Sequence, residues 1–378
     1  MKRSPLVTLL FACLFALLPL GMAKAETTPA TTDSTTPHAL FYLLHGSQSV
    51  TSFEAHKSQI SILVPAWYSV NAQGLVSGNV NLDVLRDARA AHIPVIPLVG
   101  LANLKELHQL FGDQKAQDAM NAALVHYCQQ YGYAGFQIDF ENVSWTDRDG
   151  LSALVAKTAA YMHAHGLQLE IATVPNAPGY PGGTEFARWI FEDWTGGYDL
   201  AALAKSVDLV CLMTYDQHTH WTVPGPVAGW QWTLENLKYA LQFVPKNKLA
   251  LGIPLYGYHW YTGDPGLGKA EQHPDPTADY ISGPDALFLL HAYNGHKFWD
   301  PIDHTAFIWF YRDNNREWIF YTDRQTFADR YDLAKKYGVW GFAAWVLGQE
   351  DPTIWSVLPA VHHDLMSLNP AAAAPAQN

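Results

Sequence analysis

The chain has 378 residues, with 35 acidic against 23 basic side chains and a formal net charge of −12. No basic block interrupts it, which argues against nucleic acid or an anionic membrane surface as a partner. Its aromatic load (14 Trp, 19 Tyr and 17 Phe) is high for a chain with only 15% charged residues, and aromatic faces both bury well and stack on sugar rings.

Residues 1–25 combine a basic start (Lys2, Arg3), an apolar run from Leu6 to Met22 and a small-residue exit at Ala23-Lys24-Ala25. That pattern predicts a signal peptide cleaved before Glu26, too short for a membrane span, and hence an exported protein, secreted or periplasmic. Its removal takes three basic residues and no acidic one, deepening the net charge to −15. Residues 26–37 form a Thr/Pro/Ala spacer with nothing to bury, and residues 369–378 are expected to be a disordered tail of the same kind.

Between these, residues 38–368 are expected to form one catalytic domain. Short apolar runs mark eight strands, at Ala39–Leu44, Ile60–Tyr68, Ile93–Gly100, Gly135–Asn142, Leu167–Pro175, Val207–Tyr215, Leu249–Tyr256 and Val339–Leu347. Helical patterns lie between most of them, at Leu82–Ala91, Asp113–Gln130, Asp149–His165, Asp199–Lys205, Thr233–Val244 and Arg324–Tyr337. This alternation predicts an α/β fold, a (β/α)8 TIM barrel. A doubly wound open sheet would want a Gly-rich phosphate turn after its first strand, and His45-Gly46-Ser47 is not one. The seventh connection is too long for a helix alone. Residues 257–323 contain a helical piece at Pro284–Ala292 and two aromatic strands, Ala306–Tyr311 and Trp318–Tyr321. Asp313-Asn314-Asn315 joins those strands, and Asp and Asn tolerate the positive φ of a hairpin turn. A small α+β insertion between strands seven and eight is expected, forming one wall of a groove. Cys128 and Cys211 are expected to be buried free thiols, and the protein a monomer.

The fourth run carries the chemistry. In a β-strand Phe136, Ile138 and Phe140 point one way, and Gln137, Asp139 and Glu141 the other. Two acids on one strand face are costly to bury unless something requires them, so Asp139 and Glu141 are the candidate catalytic pair. Barrel enzymes place such groups at the C-terminal strand ends. The other ends are furnished too, with Trp67 and Tyr68 on strand two, Asn176 on five, Met213, Tyr215 and Asp216 on six, Tyr256 on seven and Trp345 on eight. Trp67, Tyr68, Tyr256 and Trp260 are read as sugar platforms. His218, His220, His362 and His363 do not recur at zinc spacing, so neither a metal nor another cofactor is expected.

Three motifs together resemble glycoside hydrolase family 18. Gly135 to Glu141 is similar to the strand-four signature D-G-x-D-x-D-x-E, and Met213-Thr214-Tyr215-Asp216 to the strand-six Met-x-Tyr-Asp. Trp345 stands where the family has a strand-eight tryptophan under the bound sugar. The likeness runs from about His38 to Val361. Ile138 to Asn142, Gly252 to Gly257 and Trp345 to Asp351 most resemble the bacterial spore-cortex-lytic and spore-germination subgroup.

The resemblance implies a chitinase or endo-β-N-acetylglucosaminidase type of enzyme acting on an N-acetylated glycan, chitooligosaccharide or peptidoglycan. It also explains why the two acids lie about 6.6–6.8 Å apart along one strand instead of flanking the scissile bond, because this family is substrate-assisted. Glu141 is then the acid and base, Asp139 the partner of the 2-acetamido group, and Tyr215 its second hydrogen-bond partner. Asp216 would bind a sugar hydroxyl and Trp345 form the floor, with Gln137, Met213 and Asn176 as further substrate-binding residues beside Tyr256, Trp67 and Tyr68. Two signature acids are replaced, by Ala134 and Gln137. Gln137 can hold Asp139 by a hydrogen bond but cannot take its proton, which predicts an altered pH profile. The competing reading is a chitinase-like carbohydrate-binding protein without turnover. Such members typically lose the acid, which Glu141 retains.

Overall fold

The computed structural model describes residues 36–262 and 276–361. The signal peptide, most of the spacer, the tail and His362 and His363 lie outside the described residues. The strands are β1 (His38–Leu43), β2 (Ile62–Pro65), β3 (Tyr68–Val70), β4 (Val76–Gly78), β5 (Leu98–Leu101), β6 (Gly135–Phe140), β7 (Gln168–Thr173), β8 (Leu209–Leu212), β9 (Leu249–Pro254), β10 (Tyr256–Thr262), β11 (Pro276–Ser282), β12 (His296–Asp300), β13 (Thr305–Arg312), β14 (Asn315–Tyr321) and β15 (Gly341–Trp345). The α-helices are α1 (Ser47–His56), α2 (Leu82–Ala90), α3 (Leu104–Gly112), α4 (Gln114–Tyr131), α5 (Arg148–Ala164), α6 (Glu185–Ile190), α7 (Leu200–Ser206), α8 (Trp230–Ala240), α9 (Gly283–Ala292) and α10 (Arg324–Tyr337).

One sheet runs β2-β1-β15-β9-β8-β7-β6-β5-β3-β4, parallel except where β3 meets β4. It closes on itself. Leu63 N–H donates to Pro94 O and Ile96 N–H to Leu63 O, each at 3.0 Å, joining β2 to the chain entering β5. Period-two alternation sorts each barrel strand into two layers. Leu40, Tyr42, Val64, Leu209 and Cys211 fill the barrel interior. Phe41, Leu63, Phe136, Ile138 and Phe342 point outwards under the helices. Gly135 is required where β6 begins, because a Cβ there would lie 2.1 Å from Gln168 O. Helix ends follow local chemistry. Asn81, Asp113 and Asp323 accept first-turn N–H groups, and α4 and α10 end on left-handed Gly132 and Gly338.

The (β/α)8 barrel is therefore formed, with two departures from the sequence reading. Helices α1, α3 and α6 lie outside the predicted stretches. The buried face of α1 is Ser49, Ser52 and Phe53, so no apolar stripe marks it. The predicted run Ile60–Tyr68 also breaks, because Trp67 N–H turns back to Pro65 O at 2.9 Å and the chain enters the β3–β4 hairpin.

The insertion is larger than a hairpin and a helix. Five antiparallel strands lie in the order β11-β10-β14-β13-β12, with α9 packed on one face over Ile281, Ile308 and Ile319. Asp313 (φ 50) and Asn314 (φ 65) make the expected β13–β14 turn. The insertion is joined to the barrel at several points. Leu255 alone separates β9 from β10, and its N–H donates to Trp345 O at 2.6 Å. Gly283 N–H donates to Gln349 O at 2.7 Å, and Trp230 N–H to Asp303 O at 3.0 Å. Among the described residues no helix is long and apolar enough to cross a membrane.

Candidate active site

β6 delivers Asp139 on its inner face and Glu141 one residue past its end, where Glu141 N–H donates to Leu101 O at 3.1 Å. The chain after β8 brings Tyr215 and Asp216 to the same place, and Asp216 takes a left-handed backbone (φ 62). A non-glycine residue held there is uncommon, and such geometry clusters at functional sites. Tyr256 donates to Asp216 Oδ1 at 2.5 Å, and Tyr258 also hydrogen-bonds that carboxylate. Trp345, half-buried at the end of β15, lies with its ring 5.1 Å from that of Tyr42, and Tyr280 hydrogen-bonds it.

Three carboxylates thus gather without a lysine or arginine among the groups that shift them. Burial, and then the neighbouring Glu141, push Asp139 well above the usual carboxylate range. Burial, and then Asp216, raise Glu141. Asp216 is raised by burial against the opposing hydrogen bonds from Tyr256 and Tyr258. Such a cluster retains a proton above the pH at which an exposed acid would lose it. Asp139 Oδ1 is buried and has no hydrogen-bond partner. Buried Tyr215 lies close enough to Asp139, Asp216 and Glu141 to be raised by all three, after burial itself.

Several expected contacts are corrected. Gln137 is 0% exposed inside the barrel and reaches no sugar. Nor does it hold Asp139. Its Nε2 donates to Glu170 Oε2 at 2.8 Å and to Cys211 Sγ at 3.3 Å, while its Oε1 accepts from Tyr42 at 2.7 Å. Trp67 and Tyr68 are buried in the layer between barrel and helices, Tyr68 against Tyr127, Tyr133 and Phe136, so neither offers a stacking face. The broken second run is the cause, since β3 pairs Tyr68 with both Gly78 and Val99. Tyr256, 1% exposed, is covered by Tyr280 at 4.2 Å and serves Asp216 through its hydroxyl. Trp260 is likewise buried and donates to Thr222 O at 3.2 Å. Asn176, buried with Nδ2 on Tyr198 O at 3.3 Å and Oδ1 without a partner, and Met213, half-buried beside Tyr215, are not among the corrected contacts. Cys128 and Cys211 are free buried thiols. Among the described residues no group of three or more His, Cys, Asp and Glu side chains is placed to hold a metal.

Sequence reading missed Tyr42, Tyr258, Tyr280 and Glu170. Glu170 had a visible signal, an acid between Leu169 and Ile171 in an apolar run. It is 2% exposed in the barrel interior, and burial pushes its carboxyl from 4.5 up to about 8. The folded chain therefore holds a proton that the unfolded chain releases across that interval. The contribution of Glu170 to stability should then fall as pH rises through it, by at most about 1.4 kcal/mol per pH unit. Glu170→Leu removes that slope, so its stability relative to wild type should climb from pH 4.5 to about 8, read as denaturant midpoints. A gap independent of pH would show that Glu170 is ionised in the fold.

Comparison with known proteins agrees with this geometry. The chain matches the sequence profile of Glycosyl hydrolases family 18 over residues 39–350. It is 25% identical over 250 residues to the uncharacterized glycosylase YvbX of Bacillus subtilis, covering 66% of this chain and 67% of that protein. It is also 25% identical over 256 residues to the cortical fragment-lytic enzyme of Bacillus subtilis, covering 66% of this chain and 54% of that one. The chain thus spans about half the length of the latter. The crystal structure of a chitinase from Chromobacterium violaceum shares the fold with a TM-score of 0.74 at 24% identity, over 85% of this chain and 98% of that one. The profile match spans most of the chain, and the carboxylate-bearing strand lies within it: the protein is a glycosidase and belongs to glycosyl hydrolase family 18.

Proposed function

We propose that this is an exported hydrolase of β-linked N-acetylglucosamine-containing glycans, chitin-type or peptidoglycan, acting with retention by substrate assistance. The observation that carries the reading is the bare Oδ1 of Asp139, a buried acceptor beside Glu141 with no partner in the protein. A buried acceptor left unpaired costs about 1–3 kcal/mol, which a ligand N–H relieves. The N–H of a 2-acetamido group has that chemistry. Glu141 then protonates the leaving glycosidic oxygen while the acetamido carbonyl oxygen attacks the anomeric carbon, closing an oxazolinium ring. Asp139 offsets the charge that develops on the ring nitrogen, and Tyr215 donates to the acetamido oxygen. Glu141, now a carboxylate, takes a proton from the incoming water. Asp216 binds a sugar hydroxyl, and Trp345 lies under the ring.

The names of similar proteins support both substrate classes, a chitinase on one side and a cortical fragment-lytic enzyme on the other. Export rests on the pattern of residues 1–25. Incubation of the purified protein with chitooligosaccharides and, separately, with peptidoglycan should yield fragments with a new N-acetylglucosamine reducing end, identified by mass spectrometry. Release from one polymer and not the other assigns the substrate. Intact polymers in both, at any pH between the carboxylate and neutral ranges, would sink the proposal.

A further inference from the structure

The barrel interior is apolar around Leu40, Ile62, Val64 and Leu209, yet Glu170 is buried within it, and the groups that act on it are Gln137 and Asp208, neither a cation. Register places Glu170 directly opposite Gln137 on the neighbouring strand, and the 2.8 Å hydrogen bond runs between them. Both N–H groups of Gln137 are taken, by Glu170 and Cys211, and its oxygen by Tyr42. Gln137 and Asp139 share one strand face two residues apart, within reach of a glutamine side chain. The Gln137 amide is thus held inside the barrel by an acceptor on β7, a second on β8 and a donor on β1, the shortest of its two N–H contacts being that to Glu170.

We propose that Glu170 is a positioning residue for the reaction: it draws the Gln137 amide down into the barrel and keeps its N–H off Asp139, so that Asp139 is completed only by substrate. The groups facing Asp139 fit this role. They are Glu141 from its own strand, Tyr42 from β1, Cys211 from β8, Tyr198 and Tyr215, none of them a cation. An amide N–H turned onto Asp139 would stabilise its anion, lower its pKa and compete with the acetamido N–H for the same lone pair. The inference rests on the proposed substrate reading for its effect on turnover, but not for its effect on Asp139.

The test uses protein labelled with 13C in its aspartate carboxyls, with the Asp139 signal assigned by Asp139→Asn. In Glu170→Leu the freed amide should move the Asp139 titration to lower pH, and kcat/KM on an N-acetylated oligosaccharide should fall roughly tenfold to a hundredfold. Glu170→Gln keeps an oxygen acceptor for the Gln137 N–H and should restore both towards wild type, which a loss of packing alone would not explain. An unmoved Asp139 titration in folded Glu170→Leu overturns the proposal, as does Glu170→Gln behaving like Glu170→Leu. If the Leu variant does not fold, Gln137→Leu decides: the Asp139 titration should remain in place, and a move to higher pH would show that Gln137 had been its donor. A shifted titration in a protein that cleaves no glycan would defeat the substrate reading and leave this one standing.

Discussion

Glu141→Gln should lower kcat on an unactivated N-acetylated oligosaccharide by roughly 10²–10⁴-fold, the usual contribution of a positioned general acid. Glutamine keeps the shape of the side chain and loses the transferable proton. It also removes one of three carboxylates crowded into a site without a compensating lysine or arginine, so relief of repulsion should leave thermal stability equal or higher. Binding of the oligosaccharide should survive. Titration calorimetry on the inactive variant, alongside single-turnover kinetics of the wild type, separates the two properties. Wild-type kcat in Glu141→Gln would move the acid to another side chain.

The next largest effect lies on the substrate side. Removing the N-acetyl groups from the glycan should abolish hydrolysis, because the nucleophile is then missing, and the first product from an acetylated glycan should keep its anomeric configuration. A thiazoline that mimics the oxazolinium ion should compete with substrate and bind more tightly than it does. NMR of the first product formed, before mutarotation, reads the anomer directly. An inverted anomer, or undiminished cleavage of the de-N-acetylated polymer, would rule out substrate assistance. The pH profile follows from the pair. At low pH both Asp139 and Glu141 are protonated, and Asp139 cannot offset the developing cation. At high pH both are ionised, and no proton reaches the leaving oxygen. Burial raises both groups, so the active interval between the two limbs lies above the ordinary carboxylate range.

The barrel and its acid-bearing strand were legible because both rest on short-range pattern. Period-two alternation in Gly135 to Asn142 specifies which side chains share a face, and one apolar run per strand suffices to count the staves. What the sequence concealed depends on where a backbone turns. Tyr68 looks like a rim aromatic only if the run from Ile60 continues straight, and the turn at Pro65-Ala66-Trp67 redirects it under the helices. Tyr256 is similarly ambiguous, since a tyrosine at a strand end stacks on sugar or serves a carboxylate according to what covers its face. Here Tyr280, 24 residues further along the insertion, covers it. The partner of Gln137 lies on another strand, and only register across β6 and β7 reveals it.

The way the insertion is fastened bears on how the enzyme turns over. Its first strand leaves β9 after one residue, its helix starts on the loop following β15, and the Asp300–Thr305 turn is held by Trp230 N–H and by Arg330, whose Nη2 donates to Asp303 O at 3.1 Å. Among the described residues the insertion is thus tied to the barrel at three separated places. The described part of the insertion should therefore move little when a glycan binds, so that substrate is spared the ordering cost of a closing lid; unchanged hydrogen exchange of β10 to β14 on adding oligosaccharide would bear this out. Chain length and branching of the glycan should then act on how often it enters and leaves, with chemistry proceeding at the pace of the carboxylates themselves.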